Sequence, residues 1–143
     1  MTAFRTLTDS MLVSGQIAPA DLATAAAQGV TLVINNRPDK EEGGQPDGAQ
    51  IESAATAAGL SYRAIPVAPG RMGPEQIDAM ANAMDAAEGP VLAFCRTGTR
   101  STFLWALAQA SRGTDPDALA SAAQGAGYDL SPIRSTLDAM AKG

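Results

Sequence analysis

With 143 residues, 45% of them hydrophobic, and a formal net charge of −5, the chain is long enough to bury a core as one domain over residues 1–143. The acidic balance and the absence of a lysine/arginine cluster argue against nucleic acid and anionic membrane surfaces as partners. There is no histidine and one cysteine, Cys95, which excludes an internal disulfide, leaves no plausible zinc site and removes Ser–His and Cys–His catalysis. No metal and no cofactor are expected.

Residues 1–15 lack a basic start followed by an apolar stretch, and no later run is long enough to span a bilayer. A soluble, cytoplasmic protein is therefore expected. Residues 11–14 read as a short strand, with residues 4–8 as an edge strand before it. Pro19 at a first helical position opens a helix through Leu22, Ala25 and Ala26 that Gly29 stops. Residues 30–35 read as a buried strand, and residues 36–48, polar and rich in Pro and Gly, as a loop. Ile51, Ala54, Ala55 and Ala58 share a helical face, and Gly59 ends that helix.

Residues 60–67 alternate as a strand and residues 68–73 form a second loop. Pro74 starts a helix with Ile77, Met80, Ala81 and Met84 on its inner face, and Met72 joins the core or a pocket wall. Gly89-Pro90 breaks it before a strand at residues 91–94. The next helix carries Phe103, Leu104, Trp105 and Leu107, apolar nearly all round and so central. Asp115-Pro116 and Ser131-Pro132 read as cap and first-position pairs opening two terminal helices. Strands alternating with helices predict an α/β fold with a mostly parallel central sheet of about four to five strands flanked by helices.

In such sheets ligands bind beyond the carboxyl ends of the strands. Three loops should gather there, over residues 35–46, 66–73 and 95–101. The last holds Cys95, Arg96, Thr97, Gly98, Thr99, Arg100 and Ser101 between a buried strand and a helix. A helix N-terminus and backbone N–H groups aimed at one sulfur stabilise its thiolate and any bound anion. Cys95 is the candidate nucleophile. Gly98 permits the curled backbone, Thr97, Thr99 and Ser101 offer hydroxyl donors, and Arg100 is placed to clamp an oxyanion. Arg96 is expected at the rim. Asn35, Asn36 and Arg37 are candidates for shaping the pocket or holding an anionic substrate, Asp39 is the nearest stand-in for a general acid, and Arg71 is a candidate mobile clamp.

The segment Cys95-Arg96-Thr97-Gly98-Thr99-Arg100-Ser101 resembles the active-site loop of single-domain rhodaneses, which are persulfide-forming sulfurtransferases. Ser14-Gly15-Gln16, Val33-Ile34-Asn35-Asn36-Arg37-Pro38, Tyr62-Arg63-Ala64-Ile65-Pro66-Val67 and Gly89-Pro90-Val91 resemble the dual-specificity branch of the protein tyrosine phosphatases, in that family's order. The combination is similar to the phosphatase-like domain of beta-lactamase-hydrolase-like proteins, over roughly residues 4–112. That resemblance implies a protein-tyrosine-phosphatase-like three-layer fold and, as a partner in some relatives, a persulfide dioxygenase.

The sequence departs from the phosphatase pattern in three places. Four residues, not five, separate Cys95 from Arg100; Phe94 replaces the usual preceding histidine; and residues 66–73 contain no aspartate for the general acid. A shorter loop offers a phosphoryl group fewer amides. The missing acid forgoes a contribution of about 10²–10⁴ in rate. Sulfur transfer needs no such acid, because sulfite and thiolates leave unprotonated. The expected function is therefore a Cys95-dependent sulfurtransferase that takes sulfur from a small anionic donor, thiosulfate or a low-molecular-weight persulfide, and passes it to a thiol acceptor. The alternative is phosphate-ester hydrolysis through a Cys95 phosphoenzyme. A second alternative is a redox- or anion-sensing domain, which would need an external thiol to resolve an oxidised Cys95.

Overall fold

The computed structural model describes residues 4–142, so the start of the segment read for a leader lies outside the described residues. Five strands, β1 (Arg5–Thr8), β2 (Met11–Ser14), β3 (Leu32–Asn35), β4 (Ser61–Ala64) and β5 (Val91–Phe94), form one sheet in the order β1-β2-β5-β3-β4. β1 pairs antiparallel with β2, and the remaining pairs are parallel. The helices are α1 (Asp21–Ala27), α2 (Gly48–Ala57), α3 (Pro74–Ala86), α4 (Thr99–Ser111), α5 (Pro116–Gly125) and α6 (Arg134–Lys142).

Alternation along the strands sorts the side chains into two cores. Leu92 and Phe94 of β5 and Val33 of β3 face α1 and α2, where Leu22, Ala25, Ile51 and Ala55 are buried. Val91, Ala93, Leu32 and Ile34 point the other way, toward Met80 of α3, Leu104 and Trp105 of α4, Leu119 of α5 and Leu137 of α6. The layers are therefore helix, sheet, helix. Helix α4 packs against both α3 and α6, which is why its sequence is apolar nearly all round. The α/β class and mostly parallel sheet expected from the sequence are present.

Several boundaries differ from the sequence reading. Pro19 precedes α1 rather than opening it; Asp21 Oδ2 accepts the Ala18 N–H at 2.7 Å and so holds the turn before the helix. β4 ends at Ala64, short of residue 67, although the Ile65 and Val67 N–H groups still donate to the Asn35 and Asn36 carbonyls, both at 2.9 Å. Asp115 does cap α5, accepting the Asp117 N–H at 3.0 Å. Ser131 and Pro132 instead belong to a 3₁₀ turn, Ser131–Ile133, ahead of α6. Here Asp129 is the acceptor, taking the Ser131 N–H at 2.9 Å and its hydroxyl at 2.5 Å, and these bonds lower its carboxyl pKa.

The strand register sets up the site. Ser14, Phe94, Asn35 and Ala64 fall in one row at the carboxyl end of the sheet. The chain segments that follow β2, β5, β3 and β4 therefore leave from the same edge, as expected for the three candidate loops.

Candidate active site

Cys95 follows β5 directly, and its N–H donates to the Ser14 carbonyl at 3.3 Å, extending the pairing of β5 with β2 by one residue. The residue is fully buried. The Gly98 N–H comes back onto its sulfur, with N···Sγ of 3.1 Å. That approach needs Gly98 at φ +92°, a left-handed angle that L side chains resist. Gly98 is also the residue before α4, so the helix starts on the sulfur's doorstep with its N-terminal dipole toward it. The other loop groups are turned inward on the loop itself. Thr97 Oγ1 donates to Thr99 Oγ1 at 3.1 Å, and Thr102 Oγ1 donates to the Gly98 carbonyl at 2.8 Å.

Arg100, in the first turn of α4, is held end-on by a carboxylate that the sequence reading did not single out. Its Nη1 and Nη2 donate to Glu41 Oε2 and Oε1, both at 2.8 Å, and Nη1 also donates to the Val67 carbonyl at 2.7 Å. A guanidinium has five N–H groups in a fixed fork, so three are taken. The two left over, on Nε and Nη2, share one edge of the fork and are taken up by neither Glu41 nor the Val67 carbonyl. They suit an oxyanion bound bidentately. Arg100 also interacts with Cys95, and the Glu41 hydrogen bond followed by the Cys95 and Glu41 charges raises its pKa against the opposing effect of burial.

Glu41 is in turn gripped by Arg37, whose Nε donates to Glu41 Oε1 at 2.8 Å. Hydrogen bonding to Arg100, with Arg37 adding to it against the cost of burial, lowers the Glu41 carboxyl to about 2. At neutral pH it is ionised, so it accepts hydrogen bonds and has no proton to give.

The loop after β3 therefore does not do what its charges suggested. Arg37 is buried, with Nη1 on Gln16 Oε1 and Nη2 on Glu42 Oε1, both at 3.0 Å, so it is a strut rather than a substrate clamp. Burial is the largest influence on its pKa and opposes protonation, yet the Glu41 and Glu42 bonds raise it overall. Asn36 is equally buried, donating from Nδ2 to the Ile65 carbonyl at 3.0 Å and accepting from Ser101 Oγ at 2.8 Å. The Ser101 hydroxyl is thus spent on the scaffold and not offered to an anion. Asn35 accepts the Arg37 N–H and donates to the Tyr62 hydroxyl, again as a brace. Asp39 Oδ1 accepts the Gly48 N–H at 2.8 Å, which ties it to the start of α2 and not to Cys95.

Arg96 is at the rim as expected, exposed and 3.7 Å from Glu42. Arg96 also lines a groove of about 630 Å³, together with the polar Thr97, Thr99 and Arg100 and the apolar Met72, Phe103 and Ile133. Arg71 is exposed, and its neighbours Gly70 and Met72 line this groove while Arg71 does not. No cluster of three or more His, Cys, Asp or Glu suited to a metal ion occurs among the described residues.

Residues 3–112 match the family described as the phosphatase-like domain of beta-lactamase hydrolase-like protein. The chain belongs to that family. A beta-lactamase hydrolase-like protein of Agrobacterium fabrum is 42% identical over 107 residues, which are 75% of this chain and 25% of the relative. The chain thus spans about a quarter of that relative's length. A solved protein from Neisseria meningitidis, described as a candidate phosphatase, superposes with a TM-score of 0.84 at 36% identity, covering 95% of this chain and 96% of its own. The P. aeruginosa protein TpbA, solved in complex with pTyr, superposes with a TM-score of 0.64 at 20% identity, covering 95% of this chain and 88% of its own, and shows the shared fold. The fold is that of the protein-tyrosine-phosphatase-like domains. The comparisons place the chain among phosphatase-like proteins, whereas the loop had pointed to sulfur transfer.

Two contributors escaped the sequence reading. Glu41 was hidden among the charges of a polar loop, although its spacing from Arg37 is the i,i+4 of a side-chain pair. Tyr128 gave no local signal, because its hydroxyl bonds the Thr97 carbonyl of the cysteine loop from 31 residues further along the chain.

Proposed function

We propose that Cys95 is the nucleophile of a phosphate-ester hydrolase. One observation carries the reading. The Cys95 sulfur sits at the head of α4 with the Gly98 N–H on it and with Arg100 interacting with it, two of whose N–H groups are left free by Glu41 and Val67. The sulfur attacks phosphorus, an S–P bond forms, and the P–O bond breaks with its electron pair leaving on the alcohol oxygen. Water then attacks phosphorus, the S–P bond breaks, and inorganic phosphate and the thiolate are released. Arg100 would hold two phosphoryl oxygens while Glu41 fixes its fork from behind.

The substrate class follows from what surrounds the sulfur. Glu41 is ionised and Asp39 is tied to Gly48, so neither is placed to protonate a leaving group. Esters of acidic alcohols, aryl phosphates above all, need no such help. The groove walls of Met72, Phe103 and Ile133 would receive an aromatic leaving group. TpbA, on the same fold, is bound to pTyr. The test is turnover of a series of aryl phosphates with phenols of graded acidity. Values of kcat/KM, which report the step that expels the phenol, should climb steeply with phenol acidity and vanish in Cys95→Ser. A kcat/KM indifferent to the leaving group would sink the acid-free reading.

Sulfur transfer is the second reading, favoured by the four-residue spacing between Cys95 and Arg100 and by the lack of a proton donor. In that case the thiolate attacks the outer sulfur of thiosulfate, a new S–S bond forms, and sulfite leaves with the electron pair of the old one. A thiol acceptor, or a persulfide dioxygenase acting downstream, would take up the sulfur. Sulfite release from thiosulfate, with aryl phosphates untouched, would put this reading first.

A further inference from the structure

Tyr128 lies past the end of α5 and beyond the residues that match the family. Its hydroxyl donates to the Thr97 carbonyl at 3.0 Å. That carbonyl and the Gly98 N–H belong to one peptide unit, which is planar and trans, so they point in opposite directions. One end of the unit is therefore held by Tyr128 and the other end rests on the Cys95 sulfur, at N···Sγ of 3.1 Å. Gly98 is the only kind of residue that fits between, for a Cβ there would overlap the Tyr128 hydroxyl.

The tyrosine is itself anchored. The Arg5 guanidinium stands over its ring, 5.7 Å from the centroid, and Arg5 Nη1 donates to the Ala126 carbonyl at 3.0 Å. Burial first, and the nearby Cys95 after it, raise the Tyr128 phenol above its usual value, with Arg5 opposing. The phenol thus keeps its proton, and its ability to donate, through the neutral range.

We propose that Tyr128 is a positioning residue for the nucleophile: its hydroxyl fixes and polarises the Thr97–Gly98 peptide so that the N–H stays on the Cys95 sulfur. Hydrogen bonds in series strengthen one another, so the hydroxyl acts on the thiolate without touching it. The inference deepens the reading of Cys95 as a nucleophile and rests on it. The other charges around the sulfur come from α4 and from the loops after β5 and β3. They are Arg100, Arg96 at the rim, Arg37, Glu41 and Glu42, with Arg5 of β1 behind Tyr128.

Tyr128→Phe removes the hydroxyl and keeps the ring under Arg5. Because Cys95 is the only cysteine, its thiolate can be followed by ultraviolet absorbance across pH, with Cys95→Ser as the blank for the wild type and the Cys95→Ser, Tyr128→Phe double variant as the blank for Tyr128→Phe. At the pH where the wild-type sulfur is half ionised, the thiolate signal of Tyr128→Phe should fall about two- to threefold, with the plateau at high pH unchanged. Thermal unfolding is measured beside it. A superimposable titration overturns the proposal, and so does a titration that shifts only as far as the protein unfolds. Failure of the wild type to turn over any aryl phosphate or sulfur donor would remove the functional reading and leave this titration difference standing.

Discussion

The loops after β5 and β3 leave neighbouring parallel strands at the same sheet edge, and both are rich in polar and charged groups. They do opposite things. In the loop after β5 the backbone turns one N–H onto a sulfur, and Arg100 beyond it keeps two donors clear of Glu41 and Val67. In the loop after β3 Arg37, Glu41 and Glu42 satisfy each other, while Asn35, Asn36 and Asp39 are bonded to backbone or to Tyr62 and Ser101. A charge at the right place is available to a ligand only if the protein has not already used it. The second loop is the frame that holds the first one's arginine.

The sharpest way to break this contrast is at Arg100. Arg100→Lys keeps the charge but loses the fork, so one group can no longer be gripped by Glu41 while binding an anion along its other edge. Aryl phosphate turnover should fall by about 10²–10³, most of it in kcat. Turnover within about threefold of wild type would mean the fork is not aimed at substrate.

A second effect belongs to Glu41. Its carboxyl titrates near 2 in the fold against a usual 4.5. Between those values the unfolded chain binds more protons, so stability rises with pH there. The contribution is fully present above the unfolded value and is lost as the pH falls toward 2. Glu41→Gln should flatten acid unfolding in that window. Glu41→Ala, which leaves the buried Arg37 short of its main partner, should lower stability by about 3 kcal/mol by urea titration. An unchanged acid limb in Glu41→Gln would place the acid sensitivity elsewhere.

The smallest effect should be at Asp39. Asparagine can also accept the Gly48 N–H at the start of α2, so Asp39→Asn should leave kcat/KM within about twofold of wild type and remove no acid limb from its pH profile. A large loss would restore Asp39 as a general acid and make its tie to Gly48 a resting arrangement.

Much of this could be read from the chain alone, because periodicity and punctuation are local. The continuous apolar run of β5, the apolar surround of α4, and the glycines and prolines at the breaks were enough for the sheet, its flanking helices and the loop that carries Cys95. The sulfur, Gly98 and Arg100 were legible because strand, turn and helix converge within seven residues. The role of Arg37 was not, since the same residues describe a solvated turn or a buried network, and only Gln16 and Arg100 from other segments decide between them. Ser101 was misread for a like reason: its partner, Asn36, is 65 residues away in the chain. Tyr128 lies further along still and has no motif around it.

The central claim is that the Cys95 sulfur takes up a phosphoryl group between Gly98 and Arg100. Acid-quenched intact mass spectrometry of the protein during aryl phosphate turnover tests it directly. One added phosphoryl group, absent in Cys95→Ser, is the result the account predicts. A protein that never gains a phosphoryl group, yet gains one sulfur atom on Cys95 from thiosulfate, would contradict it and make the domain a sulfur carrier on a phosphatase scaffold.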